Sequence, residues 1–418
     1  MRSHLNTHPA AGADFRKFWL GQTISSLGDA FTGFALPLLV YQLTGSALNL
    51  AIAGAVAFAP YLLFGLLIGA WVDRVNRRRL MIASDIARAL LVASVPLLSA
   101  AGFFALWYIY AVEFLAATLA IGFSAAQAAA VASLVDRDSL SAANGRLIAS
   151  ISAASIVGPL LAGGLAAFVP LPALLLIDAL SFLASALALN SIRRSFNPGE
   201  RLPPASIRQE IAQGLRYVWS TPVLRTITLL LTLLNVVGPT TRVQLVLFAK
   251  QRLDASDAQV GLLSAAASVG VLLGSLAIGW LTRRWPLGRA ALGAVMLQAL
   301  LLIAFAQTRQ YWAALPLWGL LAGAGVVVDI GVMSLRQAVT PDHLLGRVTT
   351  VSRTIGFVAI PLSTLLGGVL IDRLGNPSTS SGQAVSLIYS AIGVLTLLIG
   401  LAFSFSVLMQ ADLSADTS

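Results

Sequence analysis

Residues 69–80 read GAWVDRVNRRRL. Asp73 and four arginines (Arg74, Arg77, Arg78 and Arg79) crowd into a chain in which only 11% of residues are charged and 57% are hydrophobic. A soluble protein carries about a quarter charged residues. Apolar runs flank the cluster, and they reach the roughly 20 residues with which a helix crosses a hydrocarbon core. The cluster therefore reads as a loop between two membrane spans.

Working outward from it, twelve spans fit, at about 18–41, 47–72, 79–100, 104–133, 140–168, 172–193, 225–249, 257–282, 288–307, 311–336, 345–372 and 384–409. Turn and breaker residues separate them, including Thr44-Gly45, Val169-Pro170-Leu171-Pro172 and Gly375-Asn376-Pro377. The expected fold is an all-α polytopic membrane protein. A net charge of +10 would suggest a nucleic-acid partner in a soluble chain. Here the cations lie between spans, so they set topology in the lipid bilayer and no nucleic-acid partner is expected. With no cysteine and three histidines, two of them at positions 4 and 8, disulfides and thiolate chemistry are excluded, and neither a metal centre nor a cofactor is expected. The polar opening MRSHLNTHPAAGADFRKF does not fit a cleaved signal peptide, so the first span is expected to serve as an uncleaved insertion signal.

Placing the N-terminus in the cytoplasm puts 21 Lys and Arg residues in the inner segments and four (Lys250, Arg252, Arg309, Arg373) in the outer loops. That asymmetry, with an even span count, predicts a multi-pass protein of the cell (inner) membrane with both termini cytoplasmic. The longest polar stretch divides the chain into a six-span bundle at 1–193, an interdomain linker at 194–224 and a second six-span bundle at 225–418. Within the linker, SIRQEIAQGLRYVWS places Ile207, Ile211, Leu215 and Val218 on one helical face, which predicts an amphipathic helix on the inner membrane surface. The halves echo each other 204–210 positions apart: GAWVDR (69–74) answers GWLTRR (279–284), and Pro159 with Gly163-Gly164 answers Pro361 with Gly367-Gly368. Two pseudo-symmetric six-helix bundles around a shared site suit alternating access.

Gly69, Asp73, Arg74, Asn76, Arg77 and Arg78 resemble the loop between the second and third helices of the major facilitator superfamily, Gly-x-x-x-Asp-Arg-x-Gly-Arg-Arg, with Asn76 where Gly is usual. Gly65 and Gly69 are spaced for close helix packing, and Asn76 tolerates the left-handed backbone of a tight turn. The resemblance implies an inner gate in which the Asp meets a helix N-terminus of the other half and the Arg residues pair with acids. Asp85 and Arg88, three apart in the third span, are expected to pair with each other or with residues 77–79 as part of that gate. Gly145, Ala154, Gly158-Pro159 and Gly163-Gly164 resemble the fifth-helix motif of drug:proton exporters, with Ala154 in place of one Gly. Most of the chain, from the opening FRKFWLGQTISSLGDAFTGFALPLLVYQLTGSA onward, is similar to the bacterial exporter branch that includes the enterobactin exporter and macrolide efflux proteins.

Ionisable residues inside spans are costly and by default functional. Asp29, Glu113, Arg242 and Asp329 lie well inside the first, fourth, seventh and tenth spans, the helices that the resemblance implies line a central cavity. Gln22, Ser25, Ser26 and Thr32 flank Asp29 at helical spacing; Ser124 and Gln127 continue the stripe of Glu113, and Asn235 that of Arg242. Burial in an apolar cavity favours a neutral acid and an approaching guanidinium favours the carboxylate. Asp29 or Glu113, with Arg242 nearby, is therefore expected to take and release a coupling proton. Asp178, near the end of the sixth span, is expected to make an interhelical hydrogen bond. No motif of phosphate-binding, acid–base or nucleophilic catalysis appears, so an enzyme is not expected; Gly-rich GLLAGAG (319–325) lacks the strand and Lys of a phosphate loop. The expected activity is proton-coupled export of an amphipathic small molecule, drug-like or siderophore-like, by a chain that the resemblance implies is monomeric. The rivals are a lipid or lysophospholipid flippase, an uncoupled facilitator or importer, and a non-transporting receptor or scaffold.

Overall fold

Proline and glycine bend or end several of the long apolar helices. A computed structural model describes residues 9–72, 74–103, 105–136, 139–196, 207–375 and 380–409. Fifteen α-helices occupy them: α1 (Pro9–Thr44), α2 (Ala47–Val72), α3 (Arg77–Ala100), α4 (Leu106–Leu134), α5 (Leu140–Leu165), α6 (Leu171–Asn190), α7 (Ile207–Ser220), α8 (Pro222–Val237), α9 (Pro239–Val243), α10 (Leu245–Arg252), α11 (Asp257–Leu281), α12 (Leu287–Gln307), α13 (Tyr311–Val339), α14 (Asp342–Leu374) and α15 (Ser381–Phe403). Twelve spans among the described residues are long and apolar enough to cross a membrane. Gly45 makes the tight α1–α2 turn with φ at +60°, a conformation in which a side chain would be strained.

The chain forms two compact units that do not follow the midpoint of the sequence. Unit 1 comprises residues 1–39 and 56–202, and unit 2 comprises residues 40–55 and 203–418. The end of α1 and the start of α2 therefore pack with the second half.

In unit 1, α3 lies along α6 and α4. Its core gathers Phe15, Phe18, Met81, Phe123, Leu134, Leu147 and Phe196, all buried. Gly158 of α5 comes so close to α1 that an added Cβ would lie 2.3 Å from Ala30 Cβ. Small residues allow such approaches where hydrocarbon solvent supplies no hydrophobic drive between helices.

In unit 2, α11 and α13 touch backbone to backbone: a Cβ on Gly270 would lie 1.8 Å from Gly319 O. Phe248, Phe305 and Tyr389 stack with centroids 4.6–6.2 Å apart, and the buried Tyr389 hydroxyl donates to Thr241 O at 2.6 Å. The seventh span is not the single helix expected at 225–249. Pro239, which has no N–H to continue the ladder, and Gln244 divide it into α8, α9 and α10. The linker carries a helix, α7, where an amphipathic one was expected. α7 packs on α14, where a Cβ on Gly214 would lie 2.9 Å from Arg347 O, and Tyr217 donates to Val339 O at 3.2 Å. Val218 is fully buried, while Ile211 and Leu215 stay exposed. Its apolar stripe is thus divided between protein and surroundings.

Candidate functional site

Within unit 1, the polar stripe of α1 meets a second stripe on α6. Asp178, Ser181 and Ser185 are spaced three and four apart, so they share one helix face. Gly28 makes the meeting possible: a Cβ there would fall 2.0 Å from Ser181 Oγ and 2.6 Å from Asp178 Oδ1. Thr32 donates to Asp178 Oδ2 at 2.5 Å, and the Ser181 hydroxyl faces Asp178 Oδ1 at 3.1 Å. One turn away, Gln22 Nε2 donates to Ser185 Oγ at 3.1 Å, and Gln127 Nε2 of α4 donates to Gln22 Oε1 at 2.9 Å. Ser25 is buried beside them, Ser26 is half-buried and Ser124 is exposed.

The charge at the centre of this network comes from α3. Arg88 Nη2 lies 2.6 Å from Asp29 Oδ1, and its guanidinium carbon sits 3.9 Å above the Phe182 ring. Cation–π contact and ion pair together hold the guanidinium between α1 and α6. The expected Asp85–Arg88 pair is therefore not formed. Arg88 reaches across to Asp29, leaving Asp85 enclosed with neither carboxyl oxygen hydrogen-bonded. Asp29 itself remains open, its side chain 47% exposed.

The other cavity candidates make none of the hydrogen bonds or ion pairs of this cluster among the described residues. Glu113 Oε2 is buried without a hydrogen-bond partner on α4. In unit 2, Asp329 of α13 and Arg242 of α9 are exposed electrostatic neighbours, with no ion pair between them among the described residues. Asn235, one turn before the break at Gly238-Pro239, packs against Gly356 of α14.

The loop at 69–80 departs from the reading made of it. Asn76 is not in a left-handed turn. Its φ of −71° and ψ of 106° are extended, and its side chain accepts from Arg79 N at 3.0 Å, so it caps α3. An Asn side chain at that position satisfies an N–H the helix cannot. Arg78 donates to Leu189 O at 3.0 Å and to Asn190 O, and Arg77 donates to Phe196 O at 3.3 Å. Arg78 thereby complements the negative end of the α6 dipole through carbonyls rather than acids. Arg74 is exposed. Among the described residues, a Cβ on Gly65 or Gly69 would meet no atom within 4 Å. Asp73 lies outside the described residues. In the fifth-helix motif, Gly158 carries the close contact with α1; Pro159 lies inside α5, Gly163 is buried, and Gly145 and Gly164 face open space.

Unit 2 holds a further carboxylate that the sequence reading passed over. Asp372, at the end of α14, accepts from Ser46 Oγ at 2.7 Å, Ala47 N at 2.9 Å and Leu48 N at 3.1 Å, and so caps α2. Beside it Gln244 Nε2 donates to Ala47 O at 2.7 Å. A Cβ on Gly368 would fall 2.5 Å from Ala51 Cβ.

The chain matches the family described as "Transmembrane secretion effector" over residues 6–412. It is similar to the multidrug efflux pump Tap of Mycolicibacterium fortuitum, 31% identical over 393 residues that cover 88% of this chain and 91% of that protein. It is also similar to macrolide efflux protein A of Streptococcus pyogenes, 25% identical over 383 residues covering 86% and 90% of the two chains. A solved bacterial homologue of the human lysosomal transporter Spinster, inward-facing and unoccupied, superposes with a TM-score of 0.75 at 16% identity, over 96% of this chain and 97% of that one. A bacterial homologue of the iron transporter ferroportin does so with a TM-score of 0.72 at 17% identity, over 94% and 99%. At such identities the likeness is one of fold, that of major facilitator transporters.

Proposed function

Because the chain belongs to the transmembrane secretion effector family, we propose that it exports amphipathic, drug-like small molecules by alternating access, driven by inward proton flow. It acts as a monomer in the cytoplasmic membrane, with both termini in the cytoplasm. The observation that carries this reading is the Asp29–Arg88 pair. A half-exposed carboxylate in the middle of an apolar span is ion-paired at 2.6 Å to the neighbouring helix, among Thr32, Gln22 and Gln127. Such a site offers a protonatable, cation-attracting group in a polar recess within apolar walls, which suits ligands that are mostly apolar with one or two polar points. The efflux relatives support the direction and the ligand class.

The test is expression in a bacterial host stripped of its own pumps, scored against a panel of macrolide, aminoglycoside, tetracycline and dye compounds. The expected result is raised tolerance to several compounds, which is lost when a protonophore collapses the gradient or when Asp29 is replaced by Asn. Unchanged tolerance across the panel would overturn export, and tolerance indifferent to the protonophore would overturn coupling.

A further inference from the structure

Asp85 is the acid of this cluster that nothing described so far employs. It sits on α3 one turn before Arg88, with 0% of its surface exposed and both carboxyl oxygens unpartnered. An ionised carboxylate in that position would bear a cost of lost hydration on the order of several kcal/mol, with no well-formed hydrogen bond or ion pair to offset it. The groups around it sharpen the point. Its own helix supplies Arg88, already committed to Asp29 at 2.6 Å and to the Phe182 face. α6 supplies Ser185, whose oxygen accepts from Gln22 and whose hydroxyl is a weak donor towards Asp85, outside good hydrogen-bond geometry. Asp178, also on α6, has the Thr32 and Ser181 hydroxyls. α1 supplies Asp29. Three carboxyl groups thus share one guanidinium. Asp29 has the cation, Asp178 has two hydrogen-bonded hydroxyls and Asp85 has only the misaligned Ser185 hydroxyl.

We propose that Asp85 stores the coupling proton and that Arg88 governs its release by choosing between Asp85 and Asp29. With Arg88 on Asp29, as in this structure, Asp85 is the neutral acid. Three residues apart on one helix, Asp85 and Arg88 are within each other's reach. When Arg88 turns back to Asp85, the Asp85 O–H bond breaks, its electron pair stays on the Asp85 oxygen, and the proton is bonded by a lone pair of Asp29. Asp29, Asp85 and Arg88 together keep one anion against one cation throughout, and Asp178 takes no part in the transfer, so the step changes no net charge in the interior. Asp29, the exposed member, then gives the proton to water, and its freed carboxylate is open to a cationic group of the exported molecule in the place Arg88 has left. The proposal rests on the proton-driven reading given above, and moves the proton store from Asp29 to Asp85.

The test uses the full chain reconstituted in lipid vesicles. Infrared difference spectra at neutral pH report the C=O stretch of neutral carboxyl groups. The expected result is a neutral-acid band that disappears in Asp85→Asn, persists in Asp29→Asn and shifts in Asp85→Glu. Asp85→Asn, close in shape to the neutral acid, is expected to keep the wild-type melting temperature, whereas a variant that fails to fold would show that the ionised form is needed and overturn the proposal. A band unchanged by Asp85→Asn would overturn it as well. For function, vesicles carry an imposed pH gradient and a compound identified in the tolerance panel. Wild-type transport insensitive to the gradient defeats the coupled reading as a whole. Wild-type transport that is gradient-driven, with Asp85→Asn equally gradient-driven, defeats only the assignment of Asp85.

Discussion

Replacing Asp372 by Ala should free residues 40–55 from unit 2. The Asp372 carboxylate binds Ser46 Oγ and the backbone N–H groups of Ala47 and Leu48 at 2.7–3.1 Å. An N-cap acceptor contributes about 0.5–2 kcal/mol, and a negative charge at a partly buried helix N-terminus adds up to about 2 kcal/mol. A loss of about 1–4 kcal/mol raises the detached population roughly 5- to 800-fold, at a decade for each 1.4 kcal/mol. Asp372→Asn keeps an acceptor oxygen and loses the charge, so its effect should be smaller. The chain has no cysteine, which allows a direct assay. Val40 is fully buried in the packed segment, and Val40→Cys should react with a membrane-impermeant maleimide only while the segment is detached. If reclosing outpaces labelling, the labelling rate follows the open population. The expected order of rates is Asp372, then Asp372→Asn, then Asp372→Ala. Gln244→Ala should raise the rate too, and non-additively with Asp372→Ala, because both side chains hold Ala47. Equal labelling rates in the parent and in Asp372→Ala would refute the latch, and with it the idea that capping α2 holds this segment in unit 2.

Gly28→Ala forces a methyl group to within 2.0 Å of Ser181 Oγ; overpacking of this kind costs about 1–3 kcal/mol and should lower the melting temperature in detergent while impairing transport. Gly270→Ala, aimed at a backbone carbonyl 1.8 Å away rather than at a movable side chain, should be worse than Gly28→Ala in the same melt. At Asn76, replacement by Ala should cost about 0.5–2 kcal/mol and replacement by Gly only a few tenths, read from the melting shift. Equal costs would mean the side-chain cap is idle. Arg78→Gln removes the charge that faces the end of α6; urea or thermal unfolding should show a loss of about 0.3–2 kcal/mol.

The sequence made the helices legible because lipid demands length and apolarity of every span, and those properties survive in a single chain. Part of the cluster was legible too. Gln22, Thr32 and Asp29 follow the period of one helix face, and Gln127 lay in the expected stripe of α4. What was not legible is the partnership across helices. Asp29 finds Arg88 across 59 residues, and nothing in local spacing favours that pairing over Asp85, which is only three positions from Arg88. The spacing of Asp178, Ser181 and Ser185 marks a polar face on α6 of which only Asp178 was singled out, and its partner was hidden because Gly28 leaves no trace in a hydropathy pattern. Asn76 was read by its tolerance of left-handed backbone, whereas the orphan N–H of Arg79 decided its conformation. Asp372 escaped notice for the same reason as Arg88: the helix end it caps begins 325 residues earlier.

That separation also has a cost in time during synthesis. The turn at residues 44–47 enters the membrane early, yet Gln244 follows Ala47 by 197 residues and Asp372 by 325. At roughly 5–20 residues per second, the ribosome delivers Gln244 about 10–40 s later and Asp372 about 16–65 s later. During that interval the start of α2, with Ala47 and Leu48 N–H groups uncapped, faces lipid or a chaperone. The nascent first half therefore lacks support at a turn that the finished protein holds through Asp372 and Gln244, and a chain stalled between α10 and α14 would have an opening hairpin still without its carboxylate.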